Sequence, residues 1–520
     1  MNTILFGLGP HAHRIYLKYF NQHANDIGKI LIVDLETNKE KVEKYLNDAA
    51  FHYEIIYFPS SIRNLDTAPE FVEKLISDKI SVDGYDSAII STEPKSHMMY
   101  IDLSLKFGLK VMADKPLTAP AGTNTLVGAK KVWSDYVTIL KKYHNSTSNR
   151  FDVMAQRRGH AGFLRARAIL NEIVRKFNVP ITKIKVFHSD GNWVMPNEII
   201  GRENHPYKYG YGKLMHSGYH FVDLVPFFME VNWQNGFHTP QSDMSVHVYR
   251  HSDFLKFYGP EFYIKLGKEF ENIDKTIFRQ KNIFKNFGEY DVSTMIDYMD
   301  DDGDIMTQVM MEGAQSGFSK RAWFKEPFDT YKGNGRIRHE MVEVAIGPLL
   351  NLKIFSYQSK EIAEEKDMVN EIGKLDHFEI DIFRNEKLIG GEAFEQIKTQ
   401  TKNKQDHYIG QNEQARFDLL DAFYFDKQSD ASLEGQKETI RLMSKIYEEI
   451  SRQTIPKESL YDVKFIQKDK QFKVFSMNIN DDIETTLIKQ LQIEDLAKFN
   501  PIYLGYEFNR DRLTYIYSEE

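Results

Sequence analysis

The chain of 520 residues contains no cysteine. Disulfides, zinc-thiolate sites, cysteine-ligated iron-sulfur clusters and a thiol nucleophile are excluded together. Also missing is any run near the roughly 18 apolar residues that a membrane-spanning helix needs. The first residues, Met1 to Gly7, lack the basic start and small-residue cleavage site of a secretory signal. No membrane partner and a cytoplasmic location are the corresponding expectations. Nor is there an excess of positive charge: 67 Lys and Arg against 75 Asp and Glu leave a formal charge of −8, which supplies no electrostatic reason for a nucleic-acid partner. Internal repeats and low-complexity segments are absent. Any chemistry must come from His, Lys, carboxylates, hydroxyls or a bound cofactor.

What is present is an ordinary globular composition, 42% hydrophobic and 27% charged, in a chain longer than one core can serve. Short apolar runs at Thr3 to Phe6, Lys29 to Val33, Tyr53 to Phe58, Ser87 to Ser91 and Lys110 to Ala113 read as strands. Helical segments such as Glu70 to Ser77 and His97 to Phe107 separate them. That alternation predicts an α/β fold opening with a Rossmann-type doubly wound parallel sheet. The polar stretch Lys141 to Asn149 reads as a surface insertion or domain edge. Beyond it, Phe151 to Gln156 reads as a strand and Gly162 to Phe177 as an amphipathic helix. From Lys183 to about Phe394 the pattern is mostly β, with strands at Ile184 to His188, Leu349 to Tyr357 and His377 to Arg384, which predicts an α+β domain with a large, mostly antiparallel open sheet. Helical spacing returns over Gln411 to Arg452. The expected division is 1–145 for the dinucleotide-binding domain, 146–452 for the substrate and oligomerisation domain, and 453–520 for an extension whose aromatics favour a folded appendage.

Gly7, Gly9 and Ala12 stand at G-x-G-x-x-A spacing directly after an apolar strand, where a helix must begin. Gly7 permits the tight turn, Gly9 lets backbone approach a pyrophosphate, and Ala12 lets helix pack closely on strand. The next strand ends in Asp34, placed to accept hydrogen bonds from ribose hydroxyls and to repel a 2′-phosphate, which favours NAD over NADP. A strand-turn-helix with no ligand is the alternative for the same residues.

The segments Asp86 to His97 and Gly108 to Leu117 resemble the Gfo/Idh/MocA oxidoreductase family, whose pattern is a strand ending in Ser/Thr-x-Pro-x-x-x-His, a helix, and a strand ending in Glu-Lys-Pro. Asp114 stands where the family usually has Glu, while Lys115 and Pro116 are retained. Val153 to Arg158 resembles the opening strand of the family's second domain. Gly212 to Asp223 resembles Gly-x-Leu-x-Asp-x-Gly-x-His-x-x-Asp, with His216 in place of the first Asp. The specific motifs cover residues 1 to about 230, and the pattern of elements extends to about 452.

The resemblance implies hydride transfer between a nicotinamide and a hydroxyl-bearing carbon of a sugar-like or cyclitol-like molecule. It assigns Lys115 a hydrogen bond and positive charge at the developing alkoxide, His220 the general acid/base, and Asp223 an orienting role, with His216 nearby. Cofactor contacts are expected from Gly7, Gly9, Pro10, His11, Ala12, Asp34, Ser91, Thr92, Pro94, His97, Asp114, Lys115 and Pro116. Substrate contacts are expected from Arg157, Tyr211, His216 and His220. His216 and His220 at i, i+4 also allow a shared helix face that holds a metal with Asp223, against the expectation of no metal. Trp193, His205, Tyr207, Tyr209 and Tyr211 read either as a sugar-facing loop or as packing. Arg157 and Arg158 read as anion contacts or as surface ion pairs, and Asp300 to Asp304 as a solvated turn. A homo-oligomer is implied by resemblance. A non-catalytic dinucleotide-binding sensor, an NAD-dependent glycoside hydrolase and an imine reductase are the alternatives to a dehydrogenase.

Overall fold

The structure, a computed structural model, describes residues 1–63, 65–202, 205–267, 276–279, 284, 286–322, 336–358, 377–399 and 411–454, and four later segments, 461–468, 471–476, 502–509 and 512–518. The first six strands are β1 (Thr3–Phe6), β2 (Ile30–Leu35), β3 (Tyr53–Phe58), β4 (Ser87–Ile90), β5 (Lys110–Ala113) and β6 (Phe151–Val153). They form one parallel sheet in the order β3-β2-β1-β4-β5-β6. Ile4, Leu5, Phe6, Ile30, Leu31 and Ile32 have no exposed surface, because helices cover both faces of a parallel sheet and so favour continuous apolar runs. Strand order reverses between β1 and β4. The loops leaving these two strands diverge, which opens a crevice at the carboxyl edge of the sheet.

Two expectations about residues 141–156 are corrected. Lys141 to Asn145 is no insertion but the end of a helix, Leu126–Asn145, whose Val132, Tyr136 and Ile139 are buried. The strand that runs into Val153 to Arg158 does not open a second sheet: β6 pairs in parallel with β5. Its residues alternate too briefly for sequence to say which sheet receives them.

A second sheet takes β7 (Lys183–Ser189), β8 (Gln241–Tyr249), β9 (Asp291–Met299), β10 (Ile305–Ala314), β11 (Arg338–Ile346), β12 (Leu350–Gln358), β13 (His377–Arg384) and β14 (Phe394–Thr399). Their order is β14-β13-β12-β11-β7-β10-β9-β8, and only the β7-β10 pair is parallel. The open, mostly antiparallel sheet expected from sequence is therefore present. The helix Ala161–Phe177 begins where His160 Nδ1 accepts the Gly162 N–H at 3.1 Å. It approaches the sheet so closely that a Cβ on Gly162 would lie 2.1 Å from Phe378.

The helix Gln411–Tyr424 returns to the first sheet. Phe417, Leu420 and Phe423 share a core with Leu5, Tyr16 and Tyr19, and Tyr424 Oη meets Thr3 Oγ1 at 2.9 Å. Four further strands, β15 (Tyr461–Lys468), β16 (Gln471–Ser476), β17 (Ile502–Asn509) and β18 (Arg512–Ser518), pair antiparallel in the order β15-β16-β18-β17. Among the described residues no helix is long and apolar enough to cross a membrane.

Candidate cofactor and catalytic site

The crevice is the mouth of a cavity of about 450 Å³, walled by the carboxyl edge of the first sheet and by elements of the second. Gly7 leaves β1 with φ +89°, and its N–H donates to Val33 O at 2.8 Å. A Cβ there would lie 2.8 Å from Ser91 O and 2.9 Å from Thr92 Cγ2, so only glycine lets β1 and β4 stay this close at their ends. Gly9 differs. Its backbone is extended, and a Cβ would meet nothing within 4 Å, because it would project into the cavity. Pro10 then starts the helix at its first position, where the missing N–H costs nothing. Ala12 is fully buried against the sheet and does not reach the cavity.

At the end of β2 the Asp34 carboxylate accepts the N–H groups of Leu8 and Leu35 and Asn38 Nδ2, each at 2.7 Å, and still faces the cavity. It braces the glycine turn while presenting charge beside it. Ser91, Thr92 and Pro94 line the same wall. Asp114, at the end of β5, accepts from Ser91 Oγ and Tyr16 Oη, with His11 Nε2 at 3.6 Å. Burial, in first place, holds His11 near pKa 3 and hence neutral.

His97 departs from expectation, since it does not line the cavity. It is fully buried, with Nδ1 3.1 Å from Leu117 O and Nε2 3.1 Å from Thr92 O, so it ties the loop after β4 to the loop carrying Lys115 and Pro116. Two carbonyl partners favour an imidazolium, but burial outweighs them and the net shift is downward.

Lys115 lines the cavity and donates to the backbone carbonyl of His216. Burial, and next the Arg416 guanidinium, lower its pKa from 10.5 to about 7. His220 lines the same space, buried, with no hydrogen-bond partner at Nδ1 among the described residues. Burial first, then the charges of Lys115 and Arg157, hold it well below the usual imidazole range.

His216 and His220 do not share a helix face. The helical run breaks at His216, whose ψ of −109° is non-helical, before the helix Tyr219–Gln234 begins. His216 turns to Pro206 O at 3.1 Å and packs among the rings of His205, Tyr207 and Tyr211. Asp223 is also absent from the cavity. It is fully buried, accepting from Arg158 Nε at 2.8 Å and Thr439 Oγ1 at 2.6 Å. The triad His216, His220 and Asp223 is thus dispersed, and no group of three or more His, Asp or Glu among the described residues is placed to hold a metal.

The arginine pair is buried rather than on the surface. Arg157 forms part of the cavity wall and donates to Glu340 at 2.5 Å, whereas Arg158 faces inward to Asp223 and Glu230. His205, Tyr207, Tyr209 and Tyr211 all line the cavity, but Trp193 stacks on Tyr263 outside it. Asp300 to Asp304 form an exposed turn closed by two N–H bonds to Asp300 Oδ1.

Several groups escaped the sequence reading. Asp190, just past β7, accepts from Lys213 Nζ at 2.8 Å and from Ser217 and Arg336, and these cations hold its pKa well down although burial opposes them. The strand-end pattern Ser189-Asp190-Gly191 is the only local signal for it. Arg338 and Arg416 also reach the cavity, from β11 and from the helix Gln411–Tyr424, with no motif to announce them.

Neither a family model nor a curated protein matches the sequence. Among solved structures, an oxidoreductase from Agrobacterium radiobacter in complex with NAD+, L-tartaric acid and magnesium is similar over 87% of this chain and 97% of its own, at TM-score 0.53 and 11% identity. An NAD-binding oxidoreductase from Klebsiella pneumoniae matches over 87% and 97%, at TM-score 0.51 and 11% identity. An aldose-aldose oxidoreductase from Caulobacter crescentus, complexed with glycerol, matches over 87% and 98%, at TM-score 0.50 and 12% identity. The chain therefore has the fold of these oxidoreductases, a six-stranded parallel sheet joined to an open mixed sheet, which is the fold implied by the resemblance to the Gfo/Idh/MocA family.

Proposed function

We propose that the protein is an NAD-dependent oxidoreductase of the Gfo/Idh/MocA type, acting between an alcohol and a carbonyl on a hydroxylated small molecule. The observation that carries this reading is the convergence on one cavity of the open space beside Gly9, the Asp34 carboxylate, and Lys115 with His220. A dinucleotide fits the first part: Gly9 leaves room for a diphosphate that any side chain would fill, and Asp34 offers a carboxylate to ribose hydroxyls. When bound, the nicotinamide supplies the hydride acceptor or donor.

Lys115 is assigned the proton. A group with a pKa of about 7 is divided between base and acid near neutral pH, so it takes the hydroxyl proton during oxidation and returns it during reduction. This shifts the role expected of His220. Held well below the imidazole range, His220 stays neutral and contributes a hydrogen bond to the reacting oxygen rather than the main proton store. The surrounding Tyr207, Tyr209 and Tyr211 offer aromatic faces to a sugar-like or cyclitol-like substrate.

The test is a titration of the purified protein with NAD(H) and NADP(H), followed by absorbance at the reduced-nicotinamide band against sugars, cyclitols and their oxidised forms. Binding with turnover is expected, with NAD preferred. Absence of dinucleotide binding would overturn the reading.

A further inference from the structure

Glu289, just before β9, is fully buried and does not line the cavity, yet it holds the segment from which Met215, His216 and Ser217 do. Its backbone carbonyl accepts the Lys213 N–H at 3.1 Å. Its side-chain Oε1 accepts the Leu214 N–H at 2.7 Å and the hydroxyl of Tyr447, on the helix Lys437–Thr454, at 2.9 Å. The two backbones cross at glycines. A Cβ on Gly212 would lie 2.1 Å from Glu289 O, and one on Gly288 would lie 2.0 Å from the carbonyl carbon of Tyr211, so no larger residue allows the approach.

This brace holds the turn Leu214–Gly218. A helical segment leaves its first N–H groups without internal partners, and at Leu214 the Glu289 carboxyl supplies the acceptor from 75 residues away. Two residues on, His216 departs from helical geometry, and its carbonyl accepts Lys115 Nζ. A continuous run of contacts therefore leads from Glu289 through Leu214 and His216 to the amine assigned the proton. The leading charges on Lys115 are those of Arg416, Asp114, Asp190 and Arg338, so the link from Glu289 is one of geometry. Oε2 of the same carboxyl is buried without a hydrogen-bond partner among the described residues, and burial pushes the group up to about 7. An apolar side chain of that size would avoid this penalty but would leave the Leu214 N–H without its acceptor.

We propose that Glu289 is a positioning residue for the reaction: by capping the turn Leu214–Gly218 from outside the cavity, it fixes the His216 carbonyl and, through it, the place of Lys115 Nζ against the substrate hydroxyl. The inference rests on the oxidoreductase reading and adds to it a residue that the cavity wall does not contain. An amine that swings away from its acceptor loses the alignment on which proton transfer depends, and a displacement of about 1 Å can lower a rate about a hundredfold.

The test compares Glu289→Met, which keeps the volume without an acceptor, with Glu289→Gln, which keeps an oxygen acceptor without the charge, both in the full chain. Carbon-13 shifts at lysine Cε read the Lys115 titration without substrate, calorimetry reads NAD+ affinity, and steady-state rates use the best-oxidised member of the sugar and cyclitol panel. The Met variant is expected to move the Lys115 midpoint by at least about half a pH unit and to lower kcat at least about tenfold, with KM and NAD+ affinity within about threefold of wild type. The Gln variant is expected to restore the midpoint and most of kcat. Should the Met variant fail to fold, Glu289→Asp, which draws the carboxylate back by one methylene, is expected to move the midpoint and lower kcat at least about threefold. A folded Met or Asp variant with wild-type midpoint and kcat overturns the proposal, as does a Gln variant impaired as much as Met. Turnover that survives Lys115→Ala, or failure of NAD+ to bind, removes instead the reading on which the proposal rests, and the midpoint still reports whether Glu289 holds Lys115 in place.

Discussion

Replacing Arg416 by Gln removes the charge that, after burial, does most to depress Lys115. With a pKa of about 7, Lys115 is about one-tenth neutral at about pH 6 and about nine-tenths neutral at about pH 8. If neutral Lys115 takes the hydroxyl proton, kcat/KM for oxidation rises about tenfold across that interval, and reduction shows the mirror-image fall. A guanidinium acting across a partly solvated cavity contributes about 1 kcal/mol, which moves the limb upward by somewhat less than one pH unit and lowers oxidation at neutral pH about threefold. Steady-state rates at constant ionic strength read the limb. Carbon-13 shifts at lysine Cε, with Lys115→Arg for assignment, read the titration without any substrate. His220→Asn keeps the limb in place if Lys115 is the titrating group. A limb that stays put in Arg416→Gln, or survives in Lys115→Ala, would refute the assignment.

Other expectations follow from the same geometry. Lys115→Met should stabilise the protein by about 1–2 kcal/mol, because the penalty on the buried ammonium is present in full below about pH 7 and fades as pH rises toward 10.5; a chemical denaturation series at about pH 6 and about pH 9 measures it, and a destabilised variant at the lower pH counts against it. Gly9→Val should leave thermal stability near wild type, since a Cβ there meets nothing within 4 Å, yet weaken NAD at least about tenfold by calorimetry; unchanged affinity would place the diphosphate elsewhere. Asp34→Ala should lower the NAD-to-NADP affinity ratio and cost about 1–3 kcal/mol of stability, as the Leu8 and Leu35 N–H groups lose their acceptor; an unchanged ratio removes Asp34 from the ribose site. Asp223→Ala should cost about 2–4 kcal/mol by taking from the buried Arg158 one of its two carboxylate partners and leaving only Glu230, while NAD affinity of the folded fraction holds; loss of affinity at full stability would return Asp223 to the site.

Local pattern alone determined the first sheet. Its strands are buried on both faces and short, so composition and glycine spacing mark them without any knowledge of neighbours, and β1, β3 and β5 begin and end where the apolar runs do. The glycine turn, Asp34 and Lys115 were legible for the same reason: each sits within a few residues of a strand end whose identity the sequence already declares. Tertiary structure decided the rest. Whether β6 joins the first sheet or the second depends on pairing partners, not on Phe151 to Val153 themselves. The break at His216 separates two histidines whose spacing alone would align them. Arg338 and Arg416 arrive from elements more than 200 residues beyond Lys115, carried there by sheet pairing and helix packing. The depressed pKa of Lys115 likewise depends on burial and on Arg416, which only the folded chain brings together. Chemistry-bearing residue types can be read along a chain, but the field that sets their protonation is a sum over neighbours in space.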